Sequence, residues 1–246
     1  MISQKSLFNE AYAKRSYAKI ENWRIGYLQR VFRALDVKSD DVFLDIGCGG
    51  LGYIVIEVAK SKHCYSIGVD ISQAGARQAS SIYHEKSELS CSCGFIACSA
   101  THLPFRDSFF SKISLIMVLE HVPNDQSVIS EMSRICRSKG QVLVTVPNSY
   151  QRCLPILTLA KIKADKAVGH LRSYKAEDLL NVSMRMGFVL KSIEYHAHLI
   201  KGVQNLLHRF PLTVGDDKIW WMLEKFDNSL RKVPTGSAFT VVLIKQ

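Results

Sequence analysis

The stretch Val42–Gly52 reads Val-Phe-Leu-Asp-Ile-Gly-Cys-Gly-Gly-Leu-Gly, and this stretch decides the fold. A short apolar run leads directly into glycines, which allow a sharp turn and a close approach to a ligand because no Cβ intervenes. A helix that begins after such a turn points its N-terminal amides at the ligand. The spacing Gly47-x-Gly49-x-x-Gly52 satisfies the fingerprint of dinucleotide-binding folds, although the glycines alone do not separate one nucleoside cofactor from another.

Strand-like and helix-like segments alternate on both sides of this turn. Short apolar runs predict strands at 42–46, 65–69, 95–98, 113–119, 141–146 and 238–244, with another that begins at Phe188. Helical periodicity lies between them, at 22–35, 53–60, 72–83, 125–140 and 176–186. Ser72 and Asp125 are the predicted caps of two of these helices, and Gly140 is the predicted end of the second. The alternation implies an α/β fold of parallel βαβ units with helices on both faces of the sheet.

The composition is that of an ordinary globular protein with a basic balance. The 246 residues include 32 Lys and Arg against 22 Asp and Glu, a net charge of +10, and 47% are hydrophobic. A disordered chain and a disulfide scaffold are therefore excluded, whereas anionic small molecules, nucleic acid and acidic membrane surfaces all remain open as partners. The seven cysteines are an odd number and no apolar leader precedes them, so we expect a cytoplasmic protein with reduced thiols.

We expect one domain over residues 1–246, without internal repeats or a low-complexity linker. It divides into an N-terminal helical cap (1–36), a cofactor-binding half (37–147) and a substrate half (148–246). The substrate half carries predicted insertions near 150–168 and 200–235.

Two acidic residues lie at the carboxyl ends of the first two predicted strands. Asp45 precedes the glycines, where an ionised carboxylate would repel a pyrophosphate and where burial without a partner costs on the order of several kcal/mol. It suits an amino group or a sulfonium, and S-adenosylmethionine (SAM) carries both; alternatively, Asp45 hydrogen-bonds the amides of the glycine turn. Asp70 closes the second strand, where a carboxylate can accept both hydroxyls of a ribose. Its alternative role is a negative charge at the start of the helix near Ser72.

Four blocks resemble, in order, the successive motifs of class I SAM-dependent methyltransferases, and within that class the small-molecule branch called type 11. The blocks are Leu44–Gly49, Gly68–Ser72, Leu103–Phe110 and Leu119–Val122, and the later segment Gly169–Tyr174 is also similar to that branch. The resemblance covers residues 42–147. It implies a Rossmann-like, doubly wound, seven-stranded and mostly parallel sheet with an antiparallel final strand at 238–244.

The resemblance also implies SAM as the cofactor. The residues that would contact it are Asp45, Gly47, Gly49, Asp70, Ile71, Ser99, Ala100, Thr101 and Val118. The chain departs from the family pattern in two places here. Leu51 replaces the usual third glycine, with Gly52 one residue later, and Ser99 stands where the third strand usually ends in an acid.

His121 is the candidate general base, because it follows the fourth strand on the side open to an acceptor. Glu120 would orient it or bind the acceptor, and the alternative for His121 is a packing or helix-capping role. A base is needed only when the attacking atom must lose a proton.

A second polar group precedes the helix at 176. His170, Arg172 and Tyr174 would bind the acceptor, with Arg172 holding an anionic group; alternatively, they are ordinary residues at the entry to the helix. By analogy with the family, Tyr12 and Tyr17 would close over the cofactor.

The sequence predicts no metal ion. Quinone-pathway O-methyltransferases of this branch carry Glu-x-x-Glu-His at the fourth strand and are thought to bind a divalent ion there, whereas Met117–His121 lacks the first carboxylate. A hard cation prefers several oxygen ligands, and one Glu with one His supplies too few of them. The spacing of a second cluster also resembles a metal site, but we expect a loop with buried thiols there. That cluster consists of Cys91, Cys93, Cys98, His84 and His102.

We therefore expect a SAM-dependent methyltransferase for a small-molecule or lipid-like acceptor, which could be anionic. The alternatives are an RNA methyltransferase, an NAD-dependent oxidoreductase on a similar sheet, and a protein that binds the cofactor without catalysis. Nucleic acid is not expected as a partner, because the basic residues form no single dense stripe. The helix with Trp220 and Trp221 is expected to be a lid, or alternatively a peripheral membrane contact. The oligomeric state is not predicted.

Overall fold

The computed structural model of the chain describes residues 4–13, 22–85, 92–149, 162, 169–196 and 229–246. Its helices are α1 (Gln4–Ala13), α2 (Asn22–Leu35), α3 (Tyr53–Lys62), α4 (Gln73–Glu85), α5 (Asp125–Ile135) and α6 (Ala176–Arg185). Its strands are β1 (Val42–Ile46), β2 (Tyr65–Asp70), β3 (Cys93–Ala97), β4 (Phe110–Ile116), β5 (Cys136–Pro147), β6 (Phe188–His196) and β7 (Ala238–Lys245). A short 3-10 helix at Leu119–His121 follows β4.

The strands form one sheet of seven in the order β3-β2-β1-β4-β5-β7-β6. Strands β1 to β5 pair in parallel, and β7 is antiparallel to both of its neighbours, β5 and β6. The prediction of a doubly wound sheet with an antiparallel final strand is confirmed. Strand order reverses between β1 and β4, and in open α/β sheets ligands bind outside the carboxyl ends of the strands at such a point.

Strand β1 is buried on both faces, as an inner strand of a sheet covered by helices should be. Leu44 and Ile46 pack in a cluster that includes apolar residues of α5 and α6. Phe43 points to the opposite face and packs in a second cluster with residues of α2 and α3. The alternation follows from the two-residue period of a strand, and it holds the carboxyl end of β1 firmly in place.

The predicted helix and strand limits need correction around α5. Asn124, not Asp125, caps this helix, and its side chain accepts a hydrogen bond from the Ser127 amide at 3.2 Å. The helix ends at Ile135 instead of Gly140, because Cys136 already pairs with Phe110 of β4 ahead of an irregularity in the register. Strand β4 also ends earlier than predicted, so the residues after Ile116 are free to turn at the edge of the sheet.

Several predictions fall outside the described residues. They concern the basic insertion near 150–168, apart from residue 162, and the helix with Trp220 and Trp221. The division into a cap and two halves stays a prediction. Within the described ranges, no helix combines the length and the apolar character needed to cross a membrane.

Candidate active site

The glycine turn after β1 has the backbone that its sequence requires. Gly47, Gly49 and Gly52 all have positive φ, at 78°, 64° and 53°. A Cβ on Gly47 would collide with the side chain of Val118, so only glycine fits there. Gly52 precedes α3 directly, which places the last glycine of the fingerprint at the start of the helix.

The amides of the turn bond to the end of β2. Gly47 and Cys48 both donate to the carbonyl of Val69, at 2.7 and 3.0 Å, and Gly49 donates to Oδ2 of Asp70 at 2.9 Å. The alternative role for Asp45, to hydrogen-bond these amides, is therefore filled by Val69 and Asp70. These hydrogen bonds stabilise the turn without a contribution from Asp45.

Asp45 lies at the carboxyl end of β1 and is only 3% exposed. Its Oδ1 accepts a hydrogen bond of 2.6 Å from the Ser114 hydroxyl of β4. Burial, together with the nearby charge of Asp70, raises the pKa of Asp45 to about 7, although the hydrogen bond from Ser114 opposes this shift. The charged group that acts on Asp45 among the described residues is thus Asp70, which is also an acid. Two neighbouring carboxyl groups favour the binding of a cation.

Asp70 closes β2 and joins two loops. Its Oδ2 accepts from Gly49, and its Oδ1 accepts from the amide of Ser72 at 2.8 Å. Burial raises the pKa of Asp70, while these two hydrogen bonds lower it. Ser72 in turn caps α4, because its hydroxyl accepts from the Gly75 amide at 3.0 Å. The predicted helix cap is confirmed, and each carboxylate oxygen keeps acceptor capacity for a ligand hydroxyl.

The loop after β3 lies beside Asp70. The Cys98 amide donates to the Asp70 carbonyl at 2.9 Å, and the hydroxyls of Ser99 and Thr101 are 2.8 Å apart. Ser99, Ala100 and Thr101 are each partly exposed at this edge of the sheet, and their predicted contact with the cofactor stays a prediction. Ile71 is also partly exposed, next to Asp70.

The segment after β4 turns sharply toward this edge. Met117 has a left-handed backbone, with φ 55°, and Val118 then packs against Gly47. Glu120 is completely buried within the 3-10 helix, whereas His121 is half-buried. Burial, followed by the charge of His170, lowers the pKa of His121 to about 4, although a hydrogen bond to the Gly169 backbone opposes this shift. His121 is therefore neutral at neutral pH.

The loop before α6 brings His170 to the same place. Its Nε2 lies 3.7 Å from Oε1 of Glu120, and its ring is 4.8 Å from that of His121 between centroids, nearly edge to face. The Leu171 amide donates to the Glu120 carbonyl at 2.8 Å, which fixes the loop against the 3-10 helix. The sequence alone places His170 and His121 in two separate polar groups, and the structure brings them into one.

Arg172 and Tyr174 instead hold this loop onto the start of α5. Arg172 Nη1 lies 2.8 Å from Asp125 Oδ2, its Nη2 donates to the Pro123 carbonyl at 2.8 Å, and the Tyr174 hydroxyl donates to Asp125 Oδ2 at 2.9 Å. These contacts favour the alternative role at the entry to the helix. Their role in acceptor binding stays a prediction.

Helix α1 contributes two residues that no sequence motif marked. Phe8 packs its ring edge to face on His121, with centroids 5.3 Å apart. Asn9 Oδ1 accepts a hydrogen bond of 2.7 Å from the Ser72 hydroxyl beside Asp70. Tyr17 and the side chain of Tyr12 lie outside the described residues.

The cysteine cluster does not form a metal centre within the described part of the chain. Cys93 and Cys98 are not in disulfides, His102 Nδ1 bonds to the Thr101 hydroxyl at 2.9 Å, and Cys91 lies outside the described residues. Among the described residues, a different group of potential ligands lies close enough together to hold an ion. This group consists of Glu120, His121 and His170.

Comparison with known proteins supports the resemblance. A family model described as a methyltransferase domain, of type 11, matches residues 44–144. Residues 44–144 are thus similar to a methyltransferase domain. The chain is 27% identical over 116 residues to methyltransferase GfsG of Streptomyces halstedii, covering 47% of this chain and 41% of that protein. It is 26% identical over 133 residues to a demethylmenaquinone methyltransferase of Bacillus cereus strain ATCC 10987, covering 52% of each.

The chain spans about half the length of the curated methyltransferases it matches. Among solved structures, the [4+2]-cyclase SpnF superposes with a TM-score of 0.65 at 19% identity, covering 94% of this chain and 84% of that one. This likeness supports the fold of the methyltransferase and carries no conclusion about its reaction.

Proposed function

We propose that this methyltransferase transfers a methyl group from SAM to a small-molecule or lipid-like acceptor. The observation that carries the proposal is Asp45, an acid that is 3% exposed at the carboxyl end of β1 with another acid, Asp70, acting on it. A protein gains nothing in stability from such an arrangement, so a ligand is the natural source of the compensating positive charge.

The charge of Asp45 separates the candidate cofactors. SAM brings a sulfonium and an ammonium group, which a neighbouring carboxylate stabilises. The pyrophosphate of NAD would instead place negative charge close to Asp45 and Asp70 in a partly desolvated site. Asp45 therefore favours the methyl donor over the dinucleotide, although both share an adenosine.

The rest of the cofactor would follow the edge of the sheet. Asp70 would accept hydrogen bonds from the ribose, and Gly47 and Gly49 would allow the ligand close to the backbone. Ile71, Ser99, Ala100 and Thr101 would surround the adenine, and Val118 would pack at the boundary with the acceptor.

On the acceptor side, His121 and Glu120 would lie next to the transferred methyl group. Transfer from a sulfonium is an in-line displacement, so the protein has mainly to align the two reactants and exclude water. His121 can accept a proton because it is neutral, but a pKa of about 4 makes it a weak base. An acceptor with an acidic proton, or with none to lose, fits this site best.

The binding half of the proposal is tested by calorimetry with SAM and with NAD. We expect SAM to bind and NAD not to bind. The substitution Asp45→Asn keeps the shape of the side chain but removes its charge, so it should weaken SAM binding roughly 10- to 100-fold. Asp40→Asn is the matched control, because Asp40 is an exposed acid shortly before β1. Binding of NAD in preference to SAM would overturn the proposal.

Transfer needs a separate test, since a cyclase has the same fold and cofactor binding does not establish catalysis. Purified protein is incubated with SAM labelled in the methyl group and with fractions of a cell extract. We expect label in a small-molecule or lipid fraction, together with release of S-adenosylhomocysteine. Label in RNA alone would contradict the acceptor class, and SAM binding without any transfer would leave a cofactor-binding protein.

A further inference from the structure

The acceptor side of the site contains a cluster of three metal-ligating residues. Glu120 and His121 come from the 3-10 helix after β4, and His170 comes from the loop before α6. One ligand atom of each residue lies within 4.8 Å of those of the other two. Glu120 Oε1 and His170 Nε2 are 3.7 Å apart.

This spacing is close to that of ligands on one small ion. Nitrogen and carboxylate ligands lie about 2.0–2.2 Å from Zn²⁺, so two ligands of a tetrahedral ion are roughly 3.4 Å apart. The pair at 3.7 Å nearly satisfies this distance. All three ligand atoms lie within 4.8 Å of one another, so the other two separations exceed the tetrahedral distance by at most about 1.4 Å.

The cluster also has the supports that metal ligands need. The His121 ring hydrogen-bonds to the Gly169 backbone, which orients the imidazole and leaves its second nitrogen for another partner. The Leu171 amide donates to the Glu120 carbonyl at 2.8 Å, and Arg172 anchors the same loop to Pro123 at 2.8 Å. The donors are thus held together by contacts between two segments that are far apart in the chain.

We propose that Glu120, His121 and His170 bind one divalent transition-metal ion of the Zn²⁺ class. Two imidazoles and one carboxylate form the ligand set of catalytic zinc sites with an open position, whereas Mg²⁺ prefers oxygen ligands and several waters. The sequence prediction of no metal counted Glu120 and His121 alone. His170, which the fold adds, supplies the third donor that this prediction lacked.

The site would narrow the acceptor class, and this part rests on the proposed function. An ion beside the transferred methyl group favours an acceptor whose nucleophile is an oxygen, because a bound cation stabilises the deprotonated form of a hydroxyl.

The test measures metal directly, using the purified full chain after treatment with a chelator. Zn²⁺ is titrated by calorimetry, and Co²⁺ is titrated by visible absorption, which reports the coordination geometry. We expect one ion per chain, with nitrogen and oxygen ligation. His170→Gln and Glu120→Gln should each weaken Zn²⁺ binding by roughly 100-fold or more, since even outer-shell partners contribute 10- to 100-fold.

His102→Gln is the matched control, because His102 is an exposed histidine outside the cluster, and it should leave Zn²⁺ binding unchanged. SAM affinity and thermal unfolding of His170→Gln show whether that variant is folded. A thiolate-to-cobalt charge-transfer band, or equal Zn²⁺ binding by His170→Gln, would overturn the proposal. The proposed function fails separately, if the chain binds Zn²⁺ but neither binds SAM nor releases S-adenosylhomocysteine.

Discussion

The two sides of the candidate site are built in different ways. On the cofactor side, Asp45 and Asp70 end adjacent parallel strands, and backbone amides from the turn after β1 and the start of α4 fix Asp70. On the acceptor side, Glu120 and His121 meet His170 through loops, and side-chain contacts to Pro123 and Asp125 hold that loop in place.

This difference explains why the two sides carry different kinds of information. Strand ends within one sheet are positioned by the fold itself, so short contiguous motifs specify the cofactor side. Loops that converge from distant segments are free to vary while the sheet stays constant, so we expect substrate choice to depend on the acceptor side. Substitutions on each side test this difference.

The largest effect is expected from Asp45→Asn, measured as stability against pH. Burial raises the pKa of Asp45 from 3.8 to about 7, so the folded protein holds this proton more tightly than the unfolded chain does. The contribution of Asp45 to stability is therefore present below about pH 4 and is lost as the pH rises through 7. Asparagine avoids the loss, and the unliganded variant should be more stable than the parent by up to about 4 kcal/mol at pH 8.

The measurement is urea unfolding of both proteins at several pH values between 4 and 8. The advantage of Asp45→Asn should shrink toward zero at the acidic end. Asp40→Asn, which alters an exposed acid, should show no such trend. An advantage that stayed constant with pH would mean that Asp45 does not change its charge in this range.

Gly47→Ala should damage the cofactor side by a steric route. A methyl group at this position collides with Val118, and the backbone φ of 78° disfavours any side chain. We expect a loss of about 2–3 kcal/mol in the free energy of unfolding, together with weaker SAM binding. Gly94→Ala is the control, because a Cβ there meets nothing within 4 Å, and its effect should stay within about 0.5 kcal/mol. Equal effects of the two substitutions would refute the close packing at Gly47.

The sequence predicted the strand that leads into the glycine turn, for physical reasons that can be named. The limits of β1 are as predicted, because an apolar run between Asp41 and the glycines leaves no other choice. The edge strand β3 was predicted two residues too late at its start, since its alternation is weak and Ile96 is exposed. Gly140 misled the prediction of the end of α5, because pairing of Cys136 with β4 overrides the glycine signal.

Tyr174→Phe tests how the acceptor side is held together. The substitution removes the hydroxyl that donates to Asp125 Oδ2 at 2.9 Å, and it should cost about 1 kcal/mol in the free energy of unfolding. SAM affinity should not change, since the contact lies on the acceptor side. Tyr65→Phe offers a comparison, because Tyr65 is 47% exposed on β2, and it should be nearly neutral. A tenfold loss of SAM affinity in Tyr174→Phe would show that the loop before α6 also positions the cofactor side.

The smallest effect is expected from Asn9→Ala in α1. Asn9 accepts a hydrogen bond from the Ser72 hydroxyl. Loss of this bond should reduce the free energy with which α1 packs on the rest of the protein by about 0.5–1 kcal/mol. The readout is the rate of limited proteolysis near the N-terminus, which should rise two- to fivefold, as a docking loss of this size predicts. Lys5→Ala, an exposed position on the same helix, should leave that rate unchanged.

The acceptor side could not be derived from the sequence in the same way. His121 and His170 belong to different motifs, and only the path of the chain through the fold shows that their rings meet. Phe8 and Asn9 carry no motif at all, so their contacts with His121 and Ser72 had no detectable signal. The roles of Arg172 and Tyr174 were left open because a charged or phenolic side chain before a helix serves a substrate and an anchor equally well.

The contact between Gly47 and Val118 has a consequence for the order of events in turnover. Val118 stands between the glycine turn and the 3-10 helix that carries His121, so a ligand that displaces one of these segments also displaces the other. Donor and acceptor are therefore expected to bind interdependently, each altering the affinity of the other by the same factor. An acceptor that binds before the methyl donor is therefore expected to bind more weakly than one that binds after it.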